Sequence, residues 1–361
     1  MPSVTNPPVP RSMRAAVYRG SGTVVAETVA VPRIGAGELL IRVECCGICH
    51  TDLKKIEHDL LPAPRIYGHE TAGTIAAVGP GVERHRVGDR VCVFHHIPCF
   101  GCHYCRYRDY AQCARYRQVG VTAGFEPAGG GFAQYVRVMD WIVQRGVERI
   151  PAGVSFERAT FVEPTNTCLK GLAKCAPDPR EHVLVVGQGP IGLLFTALLR
   201  RRGLSRVYVT DRIPERLRLA RRLGAGEAWT AGEEADRGLE HATEGRGADV
   251  VIVAASAPGI VEASVGMARR GGRVMLFAQT SPEERFTLDG KSVCAGDRAV
   301  FGSYSACADL QAESAQTVWD PAFPVQELVS ARFSLDQFER AMDLASRPRE
   351  GALKLVVSPQ Q

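Results

Sequence analysis

The sequence lacks the features that mark secreted, membrane-spanning or nucleic-acid-binding proteins. Residues 1–12 (MPSVTNPPVPRS) contain no apolar stretch of the kind found in signal peptides, and we expect them to form a disordered tail. The longest apolar run, residues 183–199, is interrupted by the turn residues GQGP, so we expect no membrane span. Basic clusters at 200–202 and 269–270 are short and contain no aromatic residues, which argues against a nucleic-acid partner.

Composition indicates an ordinary globular protein of two domains. Of the 361 residues, 45% are hydrophobic and 23% are charged, and the formal net charge is +5. A chain of this length can form two domains that each bury their own core. Twelve cysteines without a secretion signal favour reduced thiols and metal ligands over disulfides, and therefore a cytoplasmic protein.

The first half of the chain is predicted to be rich in β-strands. Short apolar runs at residues 15–18, 39–43 and 90–93 are separated by glycine and proline residues. Runs of this length and spacing are typical of a barrel-like β domain.

A thiol, an imidazole and a carboxylate in this domain form a candidate catalytic metal site. Cys49 follows the predicted strand 39–43, and His69 and Glu70 precede the apolar run 74–78. Thiolate sulfur and imidazole nitrogen are favoured ligands of Zn²⁺, and three protein ligands with one open position are typical of catalytic zinc. Taken singly, Cys49 is better interpreted as a buried thiol and His69 as a hydrogen-bonded core histidine, and the other motifs of the chain reverse that preference.

The residues that follow Cys49 have two compatible interpretations. Thr51 and Asp52 are placed to cap the helix that begins here. Asp52 is also placed to hydrogen-bond a ligand histidine, and the Thr51 hydroxyl to relay a proton.

Four further cysteines predict a structural metal site. They follow the spacing C-x2-C-x2-C-x7-C within fifteen residues, which brings four thiols onto one ion; they are Cys99, Cys102, Cys105 and Cys113. Four thiolates with no open position are typical of structural zinc. An iron–sulfur cluster uses related spacings, but the proline that often follows its last cysteine is absent.

The middle of the chain predicts a dinucleotide-binding fold. The apolar strand 182–186 is followed by the glycine-rich turn GQGPIG and a helix over 193–201, and a second strand, 207–211, ends in an acid. In this context the glycines allow a tight turn and close approach of a pyrophosphate to the helix N-terminus. The acid favours NAD over NADP, and two nearby arginines weaken that preference. The predicted cofactor-binding residues are Gly187, Gly189, Pro190, Ile191, Gly192, Asp211, Arg212 and Arg216.

The motif GHE-x2-G-x5-G-x2-V over residues 68–82 resembles the signature of zinc-containing medium-chain alcohol and polyol dehydrogenases. The cysteine lobe at 99–113 is similar to the structural-zinc loop of that family. The resemblance extends from about Met13 to the C-terminus. It implies an α/β protein with a GroES-like β-rich catalytic domain (13–158), a Rossmann doubly wound domain (159–299) and a return to the catalytic domain (300–361).

The resemblance also implies two zinc ions per chain, NAD as cofactor and a homodimer or homotetramer. A further ligand of the catalytic zinc falls at Glu163, directly or through a water, as in polyol dehydrogenases. Thr51 would pass the substrate proton towards the cofactor ribose and His50 towards solvent. Glu70 is either an exchangeable fourth ligand or a nearby base.

Zinc at this site would act as a Lewis acid on a bound alcohol, with hydride passing to NAD. Glu163 favours a polyol or sugar alcohol as the substrate. His96 resembles a histidine of threonine dehydrogenases, so an amino alcohol is the alternative. A non-catalytic zinc- or nucleotide-binding protein, or a zinc-free reductase, would be expected to have lost ligands that this chain retains.

Overall fold

The structure is a computed structural model that describes residues 8–94, 97–117, 129–278, 284–347 and 352–361. It divides into two compact units, Met1–Asn166 with Ala306–Gln361, and Thr167–Ser305. The domain boundaries inferred from the sequence stay a prediction. Among the described residues, no helix combines the length and the apolar composition that crossing a membrane requires.

The described residues form sixteen strands and thirteen α-helices. The strands are β1 (Ser12–Gly20), β2 (Thr23–Ala30), β3 (Leu39–Gly47), β4 (Arg65–Ile66), β5 (Glu70–Val78), β6 (Arg90–Val93), β7 (Tyr135–Val138), β8 (Val147–Arg149), β9 (Val183–Val186), β10 (Val207–Asp211), β11 (Glu227–Thr230), β12 (Ala248–Val253), β13 (Ala268–Leu276), β14 (Ala299–Gly302), β15 (Val329–Phe333) and β16 (Lys354–Val357). The helices are α1 (His50–Glu57), α2 (His103–Arg106), α3 (Ala114–Arg117), α4 (Asp140–Val143), α5 (Phe156–Ala159), α6 (Val162–Cys175), α7 (Pro190–Arg201), α8 (Pro214–Arg222), α9 (Glu233–Ala242), α10 (Ile260–Met267), α11 (Gly290–Cys294), α12 (Gln311–Trp319) and α13 (Phe338–Ser346).

The first unit is built on two β-sheets, in agreement with the predicted β-rich domain. Its larger sheet has the order β15-β16-β3-β5-β6-β8, with β7 also paired to β3, and its smaller sheet has the order β2-β1-β4. The antiparallel pairing of β3 and β5 places Gly47 opposite Glu70, and Val356 of β16 also lies opposite Gly47. The C-terminal strand therefore lies beside the strands that flank the candidate metal site.

The second unit contains one parallel sheet of order β11-β10-β9-β12-β13-β14. With β9 as the first strand, this is the 3-2-1-4-5-6 order of a Rossmann fold, as predicted. The four residues of β9 are all buried, as expected for a central parallel strand that is covered on both faces. In such sheets ligands bind beyond the carboxyl ends of the strands, where the strand order reverses.

One local expectation differs from the structure. Ser12, which the sequence places in the disordered tail, lies in β1 and pairs with Ala30 of β2, because the hairpin extends past this pair to the hydrogen bond from Val31 N to Arg11 O.

Candidate metal and cofactor sites

Cys49 lies at the N-terminus of α1. Its Sγ accepts a hydrogen bond from Thr51 N at 3.5 Å, and its own backbone N–H donates to Asp52 Oδ2 at 3.2 Å. Cys49 is therefore the N-cap of α1, and the expectation that Thr51 caps the helix is wrong. The helix begins one residue after the cysteine, because thiol and carboxylate satisfy the free N–H groups reciprocally in a capping box. The same contacts orient the thiol.

Asp52 orients His69. Its Oδ1 lies 3.1 Å from His69 Nδ1, and the Asp52 side chain is completely buried. Burial alone would raise the pKa of Asp52, but the neighbouring imidazole lowers it below its usual value. An ionised carboxylate only accepts hydrogen bonds, so Nδ1 carries the proton and Nε2 is the ring atom available to a metal. The predicted contact between Asp52 and a ligand histidine is present.

Glu70 forms a buried ion pair with Lys354, which the sequence analysis did not identify. Lys354 Nζ lies 2.7 Å from both Glu70 carboxylate oxygens and donates to Ile48 O at 3.2 Å. The two side chains are only 1% and 5% exposed. Burial would lower the pKa of Lys354, but the Glu70 carboxylate outweighs it and raises that pKa. A lysine within an apolar strand is a weak signal, and its partner lies 284 residues away in the sequence.

The structure brings three of the predicted ligands of the catalytic metal together. One ligand atom each from Cys49, His69 and Glu70 lies within 4.8 Å of the other two. Glu163, at the start of α6, is not part of this close group among the described residues. Its pKa is nevertheless lowered by the charge of His69 and raised by that of Glu70. Burial raises the pKa of Glu163 to about 7, and the charge of His69 partly offsets that effect. The donor set of the close group, sulfur, nitrogen and oxygen, fits Zn²⁺.

The two predicted proton-relay residues lie at the start of α1. Thr51 is half-buried and His50 is exposed to solvent. Partial burial of the ring, together with Lys54, lowers the pKa of His50 below its usual value. The imidazole is therefore neutral at pH 7 and able to accept a proton.

The four cysteines of the second cluster fit a tetrahedral zinc site. Cys99 Sγ lies 3.9 Å from Cys105 Sγ, and Cys102 Sγ lies 3.5 Å from Cys105 Sγ. Zn–S bonds of about 2.3 Å in a tetrahedron place neighbouring sulfurs about 3.8 Å apart. The observed separations agree with that value and exclude disulfide bonds, which need about 2.05 Å. Backbone N–H groups of Gly101 and Cys102 lower the pKa of Cys99 to about 6, which favours a thiolate ligand.

The cysteine lobe is attached to the segment that precedes α12. Arg108 donates to Asp309 Oδ2 from both Nε and Nη2, at 2.9 and 2.5 Å. Tyr116 Oη donates to Ala306 O at 3.2 Å and accepts a hydrogen bond from Ala306 N. Zinc in the lobe would therefore stabilise the contact between the lobe and the segment that precedes α12. The lobe cysteines are separate in sequence from Cys49, His69 and Glu70.

We expect Cys105→Ser to remove one zinc ion per chain and to lower thermal stability. A structural zinc contributes folding energy directly, so we expect the unfolding midpoint to fall by at least about 5 °C, at about 2–4 °C per kcal/mol. Plasma emission spectrometry and differential scanning calorimetry measure the two effects. The exposed Cys294→Ser is the control and should change neither. An unchanged zinc content in Cys105→Ser would refute the structural site.

The glycine-rich turn after β9 has room for a ligand. A Cβ atom at Gly192 would lie 1.8 Å from Gly187 O, so the turn itself requires glycine there. At Gly189 the nearest atom to a Cβ would be Arg216 Nη1 at 4.0 Å, so the protein leaves this space open. Gly189 is the N-cap of α7 and Pro190 its first residue, with Ile191 next. An open space at a helix N-terminus fits a pyrophosphate.

Asp211 lies at the end of β10 beside this turn. Its Oδ2 accepts a hydrogen bond from Gln188 N at 2.6 Å, and its Oδ1 accepts one from Ile213 N at 2.8 Å. Arg216 Nη1 lies 3.9 Å from Oδ2, and Arg212 is exposed. The predicted cofactor residues therefore lie on the turn, at the end of β10, and in the segment that leads from β10 into α8, where Arg212 and Arg216 stand. His96, the residue behind the amino-alcohol alternative, lies outside the described residues.

Comparison with protein families gives two matches. The profile of the alcohol dehydrogenase GroES-like domain matches residues 35–147, and that of the zinc-binding dehydrogenase family matches residues 190–320. Together they cover more than half of the chain, and they correspond to the β-rich and Rossmann parts of the fold.

Individual relatives are similar over most of their length. Sorbitol dehydrogenase of Bacillus subtilis is 30% identical over 359 residues, which are 98% of this chain and 99% of the relative. L-threonine 3-dehydrogenase of Pyrococcus horikoshii is 34% identical over 72% of this chain and 73% of its own. A solved E. coli structure described as a short chain alcohol dehydrogenase complexed with NADH is 26% identical, with a TM-score of 0.85, and covers 97% of this chain and 100% of its own.

Proposed function

Because the chain belongs to the zinc-containing medium-chain alcohol and polyol dehydrogenases, we propose that it oxidises a secondary alcohol of a polyol with NAD. The enzyme is an oxidoreductase that acts on CH–OH groups. The observation that carries the proposal is the cluster of Cys49, His69 and Glu70, whose ligand atoms lie within 4.8 Å of one another. The sulfur, nitrogen and oxygen donors of this cluster are those of catalytic zinc sites. They agree with the zinc-containing family to which the chain belongs.

Cys49 and His69 would hold the catalytic metal, and Cys99, Cys102, Cys105 and Cys113 the structural one. Zinc at the catalytic site supplies Lewis acidity, which lowers the pKa of a bound alcohol. Asp52 keeps the His69 imidazole in the tautomer that presents Nε2. Lys354 compensates the charge of the buried Glu70 carboxylate.

We propose that Glu163 contacts the metal through a water, since it is buried near His69 and Glu70 but is not in the close group. Thr51 accepts the proton of the substrate hydroxyl and passes it on, and His50 releases it to solvent. A neutral His50 imidazole suits that role. The turn from Gly187 to Gly192 holds the cofactor pyrophosphate, and NAD supplies the hydride acceptor.

Asp211 is proposed to select NAD by hydrogen bonding to the adenosine ribose and repelling a 2′-phosphate. Asp211→Asn keeps an oxygen for one of the two backbone N–H groups but removes the charge. We expect the ratio of kcat/KM for NADP to that for NAD to rise at least about tenfold, which corresponds to about 1.4 kcal/mol. The exposed Glu233→Gln is the control. An unchanged ratio in Asp211→Asn would show that Asp211 does not discriminate the cofactors.

The substrate class is tested by NADH formation at 340 nm across sorbitol, arabinitol, erythritol, simple secondary alcohols and L-threonine. The polyol proposal predicts the highest kcat/KM for one of the polyols. It is supported by Glu163 and by the similarity to sorbitol dehydrogenase over 98% of the chain. Highest activity on simple secondary alcohols would refute it.

An amino alcohol is the second candidate substrate. It is supported by the 34% identity to the threonine dehydrogenase of Pyrococcus horikoshii, over a smaller share of the chain. L-Threonine in the same panel decides between the polyol and the amino alcohol, because oxidation of either substrate is followed by the same formation of NADH.

We also propose that the enzyme is cytoplasmic and forms a homodimer or homotetramer. None of the twelve cysteines forms a disulfide bond, as expected in a reducing compartment. Light scattering of the purified protein measures the oligomeric state, and a monomer at micromolar concentration would contradict the second part.

A further inference from the structure

An open groove lies at the amino-terminal edge of the parallel sheet in the second unit. It is lined by α9, α10, the turn before β12, the start of β13 and the residue that precedes β14. Its volume is about 780 Å³, within the range of about 300–1,000 Å³ that is typical of small-molecule sites. The cofactor turn lies at the opposite end of the same strands, because Gly187 follows β9 and packs against Ala255, which follows β12. The groove is therefore separate from the cofactor site.

Two arginines that line the groove are held in place by main-chain carbonyl groups. The half-buried Arg298 donates from Nε to Ala268 O at 2.9 Å, and from Nη1 to Ser292 O at 3.0 Å and Ser292 Oγ at 2.9 Å. The exposed Arg270 donates from Nη2 to Ala295 O at 3.1 Å. Within the described part of the chain, neither guanidinium forms an ion pair with a carboxylate.

The other arginines of the groove are already paired with acids. Arg246 forms an ion pair with Glu244, and Arg269 forms one with Asp249. The charges available to a ligand are therefore those of the two carbonyl-bound arginines described above.

Helix capping explains the carbonyl contacts of these two arginines, but it leaves their charge in excess. Ala268 follows the last residue of α10, and Ala295 is the C-cap of α11. Arginine side chains commonly bind the last carbonyl groups of a helix. A helix C-terminus carries at most about half a negative elementary charge, so two caps offset only about half of two guanidinium charges. The groove thus keeps a positive charge that capping does not require.

Both arginines also have N–H groups left for a ligand. A guanidinium has five N–H donors in a planar fork, and such a fork binds phosphate or carboxylate oxygens bidentately. Among the described residues, Arg298 Nη2 and Arg270 Nε and Nη1 have no acceptor. Because the carbonyl contacts already fix the guanidinium groups, an anion would bind there with little further loss of side-chain freedom.

The remaining lining indicates what the anionic group is attached to. Asp236 and Glu240 of α9 contribute carboxylates, which accept hydrogen bonds from hydroxyl groups and repel a second anionic group. Leu239 and Met267 add apolar surface. At Gly266 of α10 a Cβ atom would meet no atom within 4 Å, so space above that helix is open. These features fit a ligand with one anionic group and a hydroxylated body.

We propose that this groove binds a phosphate monoester of a hydroxylated compound, with the phosphate on Arg270 and Arg298 and a hydroxyl group on Glu240. Phosphate suits the site better than carboxylate, because it presents three oxygens to two guanidinium forks. The site requires neither zinc nor alcohol oxidation, so it is independent of the proposed function.

Isothermal titration calorimetry with glycerol 3-phosphate tests the site. The holoenzyme is saturated with NADH, which occupies the glycine-rich turn and prevents oxidation of the probe. We expect one site per chain, and a dissociation constant at least about tenfold higher in Arg270→Gln, which corresponds to about 1.4 kcal/mol. Arg218→Gln removes the same charge from an exposed position of α8 outside the groove and should bind like the wild type. Arg270→Lys keeps the charge without the fork and should also weaken binding, though less.

Three outcomes would overturn the proposal. They are no binding to the wild type in the millimolar range, unchanged binding in Arg270→Gln, and equal weakening in Arg270→Gln and Arg218→Gln, which would indicate unspecific attraction. Inorganic phosphate and glycerol test the ligand class. Phosphate should bind several-fold more weakly than glycerol 3-phosphate, and glycerol should not bind. Phosphate binding as tightly as the ester would refute recognition of the hydroxylated body. If NADH does not bind, the proposed cofactor site fails, and the two arginine variants still decide the groove.

Discussion

Replacing Cys49 by serine is expected to remove one of two zinc ions per chain and to lower kcat/KM by at least about 10³-fold. The Lewis acidity of a catalytic metal provides several kcal/mol of stabilisation, and each 1.36 kcal/mol corresponds to about tenfold in rate. Serine is a preferred N-cap, so it preserves the start of α1 and the fold around it. The loss therefore reports on the thiolate ligand rather than on unfolding.

The control for this variant is Cys294→Ser, which changes an exposed thiol of the second unit. It should retain two zinc ions and full activity. Together with Cys105→Ser, the set assigns each zinc to its own group of cysteines. If Cys49→Ser kept both zinc ions and its activity, Cys49 would not be a ligand and the catalytic site would lie elsewhere.

Replacing Lys354 by methionine is expected to lower the free energy of unfolding by about 3–5 kcal/mol, because it leaves the Glu70 carboxylate buried without its cation. The pair is almost completely buried, so solvent screening does not reduce this effect. Urea unfolding followed by tryptophan fluorescence measures it. The double variant Lys354→Met/Glu70→Gln removes the uncompensated charge as well, and should recover most of the lost stability.

Arg246→Met is the matched control for the ion pair. Arg246 and Glu244 form an ion pair whose side chains are 53% and 81% exposed, and exposed pairs contribute about 0–1 kcal/mol. A loss in Lys354→Met no larger than in Arg246→Met would show that Lys354 does not stabilise Glu70. Equal losses in the single and double Lys354 variants would show that packing of the lysine, and not its charge, is responsible.

Local spacing predicted much of the site. Four thiols within fifteen residues identify the cysteine lobe, because residues so close in sequence must also be close in space. The strand, glycine-rich turn and helix from 182 to 201 predicted the Rossmann unit for the same reason. Cys49 and His69 are twenty residues apart, and the zinc-binding preference of thiol and imidazole was the signal that connected them.

Sequence could not supply contacts between distant elements. Lys354 meets Glu70 only because β16 pairs with β3 beside β5, a pairing that no local pattern encodes. The Gln311 side chain of α12 hydrogen-bonds to Glu148 of β8, and a single buried glutamine has no sequence signal. The sequence predicts Thr51 and Asp52 as caps of α1 because cysteine is not among the usual capping residues, whereas Cys49 is the N-cap and Asp52 completes its capping box.

The most direct test of the central claim is to measure bound zinc and NADH formation together during chelation of the holoenzyme. We expect about two zinc ions per chain at the start. Polyol-dependent NADH formation should fall in proportion to loss of the ion held by Cys49, His69 and Glu70, and should return when zinc is added back. Full activity after that ion has left, or no NADH with any alcohol while two ions are bound, would contradict a zinc-dependent dehydrogenase built on Cys49, His69 and Glu70.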